Sequence, residues 1–182
     1  MPELDLMIPW GFSNGASQGH PALCGVGVVH FVNQSHYFHI RYATGRGTNM
    51  KVEFTTLWTL LHFTSMKGIN RLQILGNSKV VIAQVNTNIE VDNLIFRHLL
   101  QEIMLSLQKF QWTEFFHVYR ELNSKVDDLS KEALSMGTLN FSEFMDNEEL
   151  DDMAFHYYYK MFLVIVFKAF GGWFHDGIET TQ

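Results

Sequence analysis

Three apolar segments within the first 42 residues, joined by connections too short to hold a helix, limit this chain to a fold that begins as an antiparallel meander. The first runs through Met7, Ile8, Trp10 and Phe12 into Ser13-Asn14-Gly15-Ala16-Ser17, with Gln18-Gly19-His20-Pro21 behind it. That reads as a strand ending in a tight turn, with Asn14 as a small polar side chain presented at its end. The second, Leu23 to Val32, is β-branched and apolar, and Gly25 and Gly27 within it allow close backbone approach. Asn33-Gln34-Ser35 turns the chain, and His36 to Tyr42 alternates as a third strand.

Gly45-Arg46-Gly47 then breaks the pattern, and the period changes. Thr48-Asn49 is a helix-cap signal, and Val52 to Met66 carries helical periodicity, with Glu53 on or beside the apolar side formed by Leu57, Leu60 and Leu61. Leu72 to Leu75 is a short apolar strand after Gly68-Ile69-Asn70. Gly76-Asn77-Ser78 follows it and opens a helix through Val85. Asn77 thereby repeats the arrangement of Asn14, an amide at the end of a buried strand. Asp92 to Gln108 is helical, with Phe96, Leu99, Leu100, Ile103 and Leu107 on one face. Trp112 to Tyr119 is a fifth strand, Arg120–Asn123 a turn, and Ser124 to Ser135 a helix bearing Asp127. The order β-β-β-α-β-α-α-β-α predicts an α/β fold with a mixed five-stranded sheet and helices on both faces.

Charge divides the chain. Residues 1–135 carry 11 basic and 11 acidic side chains, whereas residues 136–182 carry 2 and 8, so the net charge of −6 belongs wholly to the second part. A neutral body holds nucleic acid only through a local basic strip, without strong long-range steering. The single cysteine, Cys24, excludes an internal disulfide, and Glu3 and Asp5 stand where a signal peptide needs positive charge. An intracellular setting is expected, nucleus and cytoplasm not being distinguished. Nine histidines are scattered without metal-ligand spacing and read as core or surface residues.

The blocks Phe-Ser-Asn-Gly-Ala-Ser, Cys-Gly-Val-Gly, Thr-Asn-x-x-x-Glu, Gly-Asn-Ser and Arg-Glu-x-Asn-x-x-x-Asp, in that order from residue 12 to 127, resemble the ribonuclease H-like domain. The similarity is to the subgroup found in plant LINE-type retroelements and their domesticated relatives, and it spans residues 7 to about 135. Val126-Asp127 stands where that pattern has Ala-Asp. The resemblance implies a ribonuclease H-like domain over residues 1–135 that binds an RNA–DNA hybrid or related duplex. Its relatives cut the RNA strand with two Mg²⁺ ions held by four carboxylates. Carried onto this sequence, the ligand positions are Asn14, Glu53, Asn77 and Asp127, so two of the four acids are amides. Ser17, Asn49 and Ser78 fall where the family meets hybrid backbone and 2′-hydroxyls. Lys51, Lys79, Arg120 and Lys125 flank the same blocks, within reach of phosphates.

The exchange of two acids for amides is large on an electrostatic scale. Two divalent ions about 4 Å apart repel by on the order of 16 kcal/mol at an effective dielectric of 20. Removing two of four negative charges leaves most of that uncompensated, because neutral amide oxygens are poorer ligands for a hard cation. The expectation is a retrotransposon-derived pseudoenzyme, monomeric, with binding retained, hydrolysis lost and Mg²⁺ weak or absent. An active hybrid ribonuclease and a retroelement remnant without a present role are the alternatives.

Residues 136–182 lie outside the resemblance. Asp146 to Asp152 reads as an acidic linker, and Met153 to Phe174 as a hydrophobic tail. Its uninterrupted apolar run between Lys160 and Lys168 is seven residues, against the roughly 20 a spanning helix needs, so a membrane partner is not expected.

Overall fold

The computed structural model describes residues 3–87, 93–136 and 139–150. The expected tail from Met153 to Phe174 and the start of the third helix at Asp92 lie outside them. β1 (Trp10–Gln18), β2 (Leu23–Phe31) and β3 (His36–Arg46) form the antiparallel meander. After α1 (Asn49–Met66) come β4 (Arg71–Gly76), α2 (Lys79–Thr87), α3 (Leu94–Leu107) and β5 (Trp112–His117). One 3-10 turn, Arg120–Asn123, leads directly into α4 (Ser124–Ala133). β4 pairs in parallel with both β1 and β5. The expected order of nine elements is therefore present, with a mixed sheet at its centre.

The chain then does something not expected from the sequence. It returns as β6 (Asn140–Met145), pairs antiparallel with β3, and closes a hairpin with β7 (Glu148–Leu150). The sheet has seven strands, ordered β5-β4-β1-β2-β3-β6-β7, rather than five. The sequence reading ended the domain at residue 135, whereas the sheet continues to Leu150, with Leu139 and Phe141 buried in the main core. The first residues of the acidic run are a hairpin turn rather than a linker. Asp146 and Asn147 both have positive φ, 51° and 66°, as a two-residue hairpin requires.

The first turn also falls later than expected. β1 continues through Gly15, Ala16 and Ser17 to Gln18, paired with β2 along its whole length, and the reversal occurs at Gly19, where φ is +89°. Gly15 serves proximity instead: a Cβ there would lie 2.6 Å from the Val52 side chain and 3.0 Å from the Glu53 backbone nitrogen. This brings the start of α1 against β1.

Alternation along β2 assigns the two faces. Val26 and Val28 enter the core shared with Phe54, Leu57, Leu60 and Leu61 of α1 and with Leu99 and Ile103 of α3. Val29 packs on the other side against Val126 and Leu129 of α4. Helices thus cover both faces. α1 lies between sheet and α3, which is why it is buried from Phe54 through Thr64 with no polar stripe. Its threonines tolerate this because Thr56, Thr59 and Thr64 each donate to the carbonyl four residues back, at 2.7–2.8 Å. Tyr42 and Thr59 share a further buried hydrogen bond of 2.7 Å. His30 is a core residue, fully buried between Phe38 and Phe63, and burial pulls its pKa down to about 3.

Candidate functional site

The four positions at issue are gathered by sheet register and by two helices. Ser13 of β1 stands opposite Gly76 at the end of β4 in the parallel pair, and Asn14 of β1 and Asn77, just past the end of β4, follow it. Glu53, in the first turns of α1, shares a small pocket with Ser13, Gly76 and Ser78, which bracket those amides. Asp127 comes from α4 on the opposite face.

α4 reaches the sheet because β2 has no side chains beneath it at two places. A Cβ on Gly27 would lie 2.4 Å from the Val126 carbonyl oxygen and 2.7 Å from the Ser130 nitrogen. One on Gly25 would lie 2.2 Å from the Ser130 carbonyl oxygen. The Gly-Val-Gly spacing is a helix seat. It brings Asn14 Nδ2 within 3.2 Å of Asp127 Oδ1 and 2.9 Å of Ser130 Oγ. Ser130 spends its own proton on the Asp127 carbonyl at 2.8 Å, so it accepts from Asn14. Asn14, only 3% exposed, therefore faces Asp127 as a hydrogen-bond donor.

Asp127 is compensated from two further directions. Arg120 donates to Oδ1 at 2.9 Å, and Lys131, one helical turn on, donates to Oδ2. Burial works to raise its pKa, but the hydrogen bonds from Lys131 and Arg120 prevail and hold it below the ordinary aspartate value. Glu53 goes the other way. Burial pushes it up to about 7, against the hydrogen bond from the Gly15 backbone. Cations hold one acid in its charged form, while burial raises the other toward neutral pH. Asn77 presents a buried Oδ1 without a hydrogen-bond partner. Among the described residues no three His, Cys, Asp or Glu side chains are grouped to hold a metal ion.

The remaining positions named from sequence are spread around this centre. Ser17, half-buried, receives a weak contact from the Cys24 thiol at 3.7 Å. Asn49 is exposed at the first residue of α1, whose N-cap is Thr48, accepting from the Lys51 nitrogen at 3.2 Å. Ser78 caps α2 through a 3.4 Å contact from the Val81 nitrogen. Lys51 turns back onto the Arg46 carbonyl at 3.2 Å. Lys79 and Lys125 are exposed, and Arg120 is tied to Asp127. Ser130 and Lys131 were missed from sequence, although their places three and four residues beyond Asp127 on a helix were a usable signal.

The profile of the reverse transcriptase-like family matches residues 13–133, which include every element of this centre. The chain belongs to that family. Its domain is RNase H-like, and solved structures agree on the fold. RNase H1 from the halophilic archaeon Halobacterium salinarum superposes with a TM-score of 0.65 at 25% identity, covering 69% of this chain and 96% of its own. The N-terminal RNase H domain of a Mycobacterium tuberculosis protein, solved as a maltose-binding-protein fusion, gives 0.61 at 22%, covering 70% and 98%. LC11-RNase H1, solved in complex with an RNA/DNA hybrid, gives 0.61 at 21%, covering 69% and 96%. No curated protein matches the chain. Among the described residues, no helix is long and apolar enough to cross a membrane.

Proposed function

We propose that this RNase H-like domain, of plant LINE-type retroelement descent, binds RNA–DNA hybrid or a related duplex and lacks two-metal phosphodiester hydrolysis. The observation that carries the reading is the contact between Asn14 and Asp127. A metal ligand must offer a lone pair to the cation, whereas Asn14 offers its N–H to the neighbouring carboxylate. With Asn14 and Asn77 uncharged, only Glu53 and Asp127 of the four positions bring a carboxylate. Mg²⁺ is the cation that family chemistry would put here, and this donor set does not fit a pair of such ions.

The same features leave duplex binding intact. With fewer acids at the centre, repulsion of a backbone phosphate falls, and Arg120 stands at its edge with most of its surface in solvent. Ser17, Asn49 and Ser78 offer small polar groups for sugar and phosphate contacts, with Lys51 and Lys79 beside them. Binding through so few cations is weak and salt-sensitive, and it persists in EDTA.

The test is cleavage of a labelled hybrid in millimolar Mg²⁺. The chain itself is expected to be silent and Asn14→Asp with Asn77→Asp to cut, with either single change near background because the acids act as a unit. Cleavage by the unaltered chain, abolished by Glu53→Gln, would establish an active ribonuclease instead. A silent double variant that binds Mg²⁺ would show that the loss extends beyond the ligands.

A further inference from the structure

Asn14 is followed by a glycine that the packing of α1 requires. A Cβ on Gly15 would lie 2.6 Å from the Val52 side chain and 2.9 Å from the Val52 carbonyl carbon, so the approach of α1 to β1 leaves no room for a side chain. An asparagine at position 14 is therefore bound to be part of an Asn-Gly pair, and this is the one such pair in the chain. In that dipeptide the backbone nitrogen is least shielded from the asparagine side chain, because the residue supplying it has no Cβ and turns freely. β1 has also lost β4 as a neighbour here, since their pairing ends at Ser13 and Gly76. The Gly15 N–H donates to the Glu53 carboxylate, and Asn14 Nδ2 donates to Asp127 Oδ1 and Ser130 Oγ. Both nitrogens are thus held by side chains of α1 and α4.

We infer that Asn14 is a site of spontaneous deamidation, which returns a carboxylate to the centre. The Gly15 backbone nitrogen attacks Asn14 Cγ. The N–Cγ bond forms as the Cγ–Nδ2 bond breaks, and the Gly15 amide proton leaves with the departing ammonia, giving a five-membered succinimide. Water then opens the ring. Attack at Cγ yields aspartate in an unaltered backbone, and attack at the main-chain carbonyl yields isoaspartate. The sum is amide plus water to carboxylate plus ammonium, with no oxidant or reductant. Cyclisation needs the Asn14–Gly15 peptide to swing out of the extended conformation that pairs it with Gly27 and Val26 of β2. It also needs the hydrogen bonds to Glu53, Asp127 and Ser130 to break. The reaction therefore runs through local opening of β1 against α1 and α4, at a rate set by the open fraction. Reclosure is then disfavoured, because the new acid meets Asp127 without a donor. The inference goes beyond the proposed function: of the four positions, two start as carboxylates and a third becomes one with time.

The experiment incubates the full chain near neutral pH at physiological temperature, native and in urea. Peptides spanning Asn14 are followed by mass spectrometry, with fragmentation to separate aspartate from isoaspartate. Conversion at Asn14 is expected in both samples, ahead of every other asparagine, and slower in the native one by roughly tenfold or more. Ser130→Ala removes one acceptor of the Asn14 amide, so it should speed native conversion severalfold and leave the rate in urea unchanged. Gly15→Ala, read in urea where its fold does not matter, should slow conversion at Asn14 severalfold. Native chain aged to partial conversion and separated by charge should unfold at a lower temperature than fresh chain in EDTA at about pH 8. An amide that stays intact in the native chain after the urea sample has converted overturns the site. A native Ser130→Ala rate equal to the parent's overturns the opening at α4. These readouts are chemical and stand apart from hybrid binding: a chain that deamidates but binds no hybrid overturns the nucleic-acid reading alone.

Discussion

Asn14→Asp tests the geometry of the centre before any substrate is added. The amide now donates to Asp127 Oδ1 at 3.2 Å and to Ser130 Oγ at 2.9 Å. A carboxylate in its place is an acceptor facing an acceptor. Two unit charges 3.2 Å apart repel by about 5 kcal/mol at an effective dielectric of 20, and the lost charge-assisted hydrogen bond is worth roughly 2 kcal/mol more. Arg120 and Lys131 offset part of this. They are 68% and 43% exposed, so solvent screens their contribution. Ser130 can also rotate its hydroxyl to donate to the new acid. The net loss without metal is expected to be about 2–4 kcal/mol, or about 5–15 °C in Tm for a domain of this size.

Repulsion raises the folded-state pKa of one of the two acids above its unfolded value. The penalty is therefore absent at low pH and develops as pH rises through the carboxylate range. Thermal unfolding in EDTA should show the variant close to the parent at about pH 4 and clearly below it at about pH 8. Millimolar Mg²⁺ should recover more Tm in the variant than in the parent, since only the variant has adjacent acids to bind it. A variant as stable as the parent at the higher pH in EDTA would refute the contact between residues 14 and 127.

Gly27→Ala puts a methyl 2.4 Å from the Val126 carbonyl oxygen, so α4 must lift by about 1 Å, at about 3 kcal/mol; urea unfolding that shifts by less than a third of this would argue against the helix seat. Ending the chain at residue 136 removes the buried Leu139 and Phe141 and the partner strand of β3, and should cost roughly 3–6 kcal/mol. Chemical denaturation that matches the full chain would show that the hairpin adds nothing. Acid should destabilise the fold from about pH 6.5 downwards. His30, His39 and His62 are held near 3, 4 and 4, so the unfolded chain takes up protons that the native one refuses. Glu53, raised to about 7, opposes this as a single group: its protonated form favours the native state below that value. Tm should fall between neutral pH and about pH 5, and His30→Leu should flatten the slope; a Tm rising on acidification would mean that Glu53 outweighs the histidines.

Period and punctuation in the sequence determined the order of the first nine elements, the antiparallel start, the cap at Thr48 and the room for close backbone approach at Gly25 and Gly27. These are local signals, since alternation, a capping hydroxyl and a missing side chain act within a few residues of where they are read. The motif blocks likewise identified Asn14, Glu53, Asn77 and Asp127 by type and order. What those side chains do to one another was decided only in three dimensions. Asn14 and Asp127 are 113 residues apart, and the direction of the hydrogen bond between them depends on Ser130 having spent its proton on α4. The pKa of Glu53 near 7 follows from burial between α1 and the sheet, which the helix pattern around it does not encode.

The same division explains the two strands that sequence reading missed. Asp146-Asn147 was legible as the start of an acidic run before it was legible as a hairpin, because an Asp-Asn pair specifies a turn only if the strands on either side find a partner. That partner is the open edge of β3, 99 residues away in the chain at the Arg41–Asn140 pair and 109 at the His36–Met145 pair. Only that edge brings Phe144 of β6 against Tyr37 and His39 of β3. Composition and period determine which elements form; which edges meet, and therefore which side chains share a site, is a property of long-range pairing.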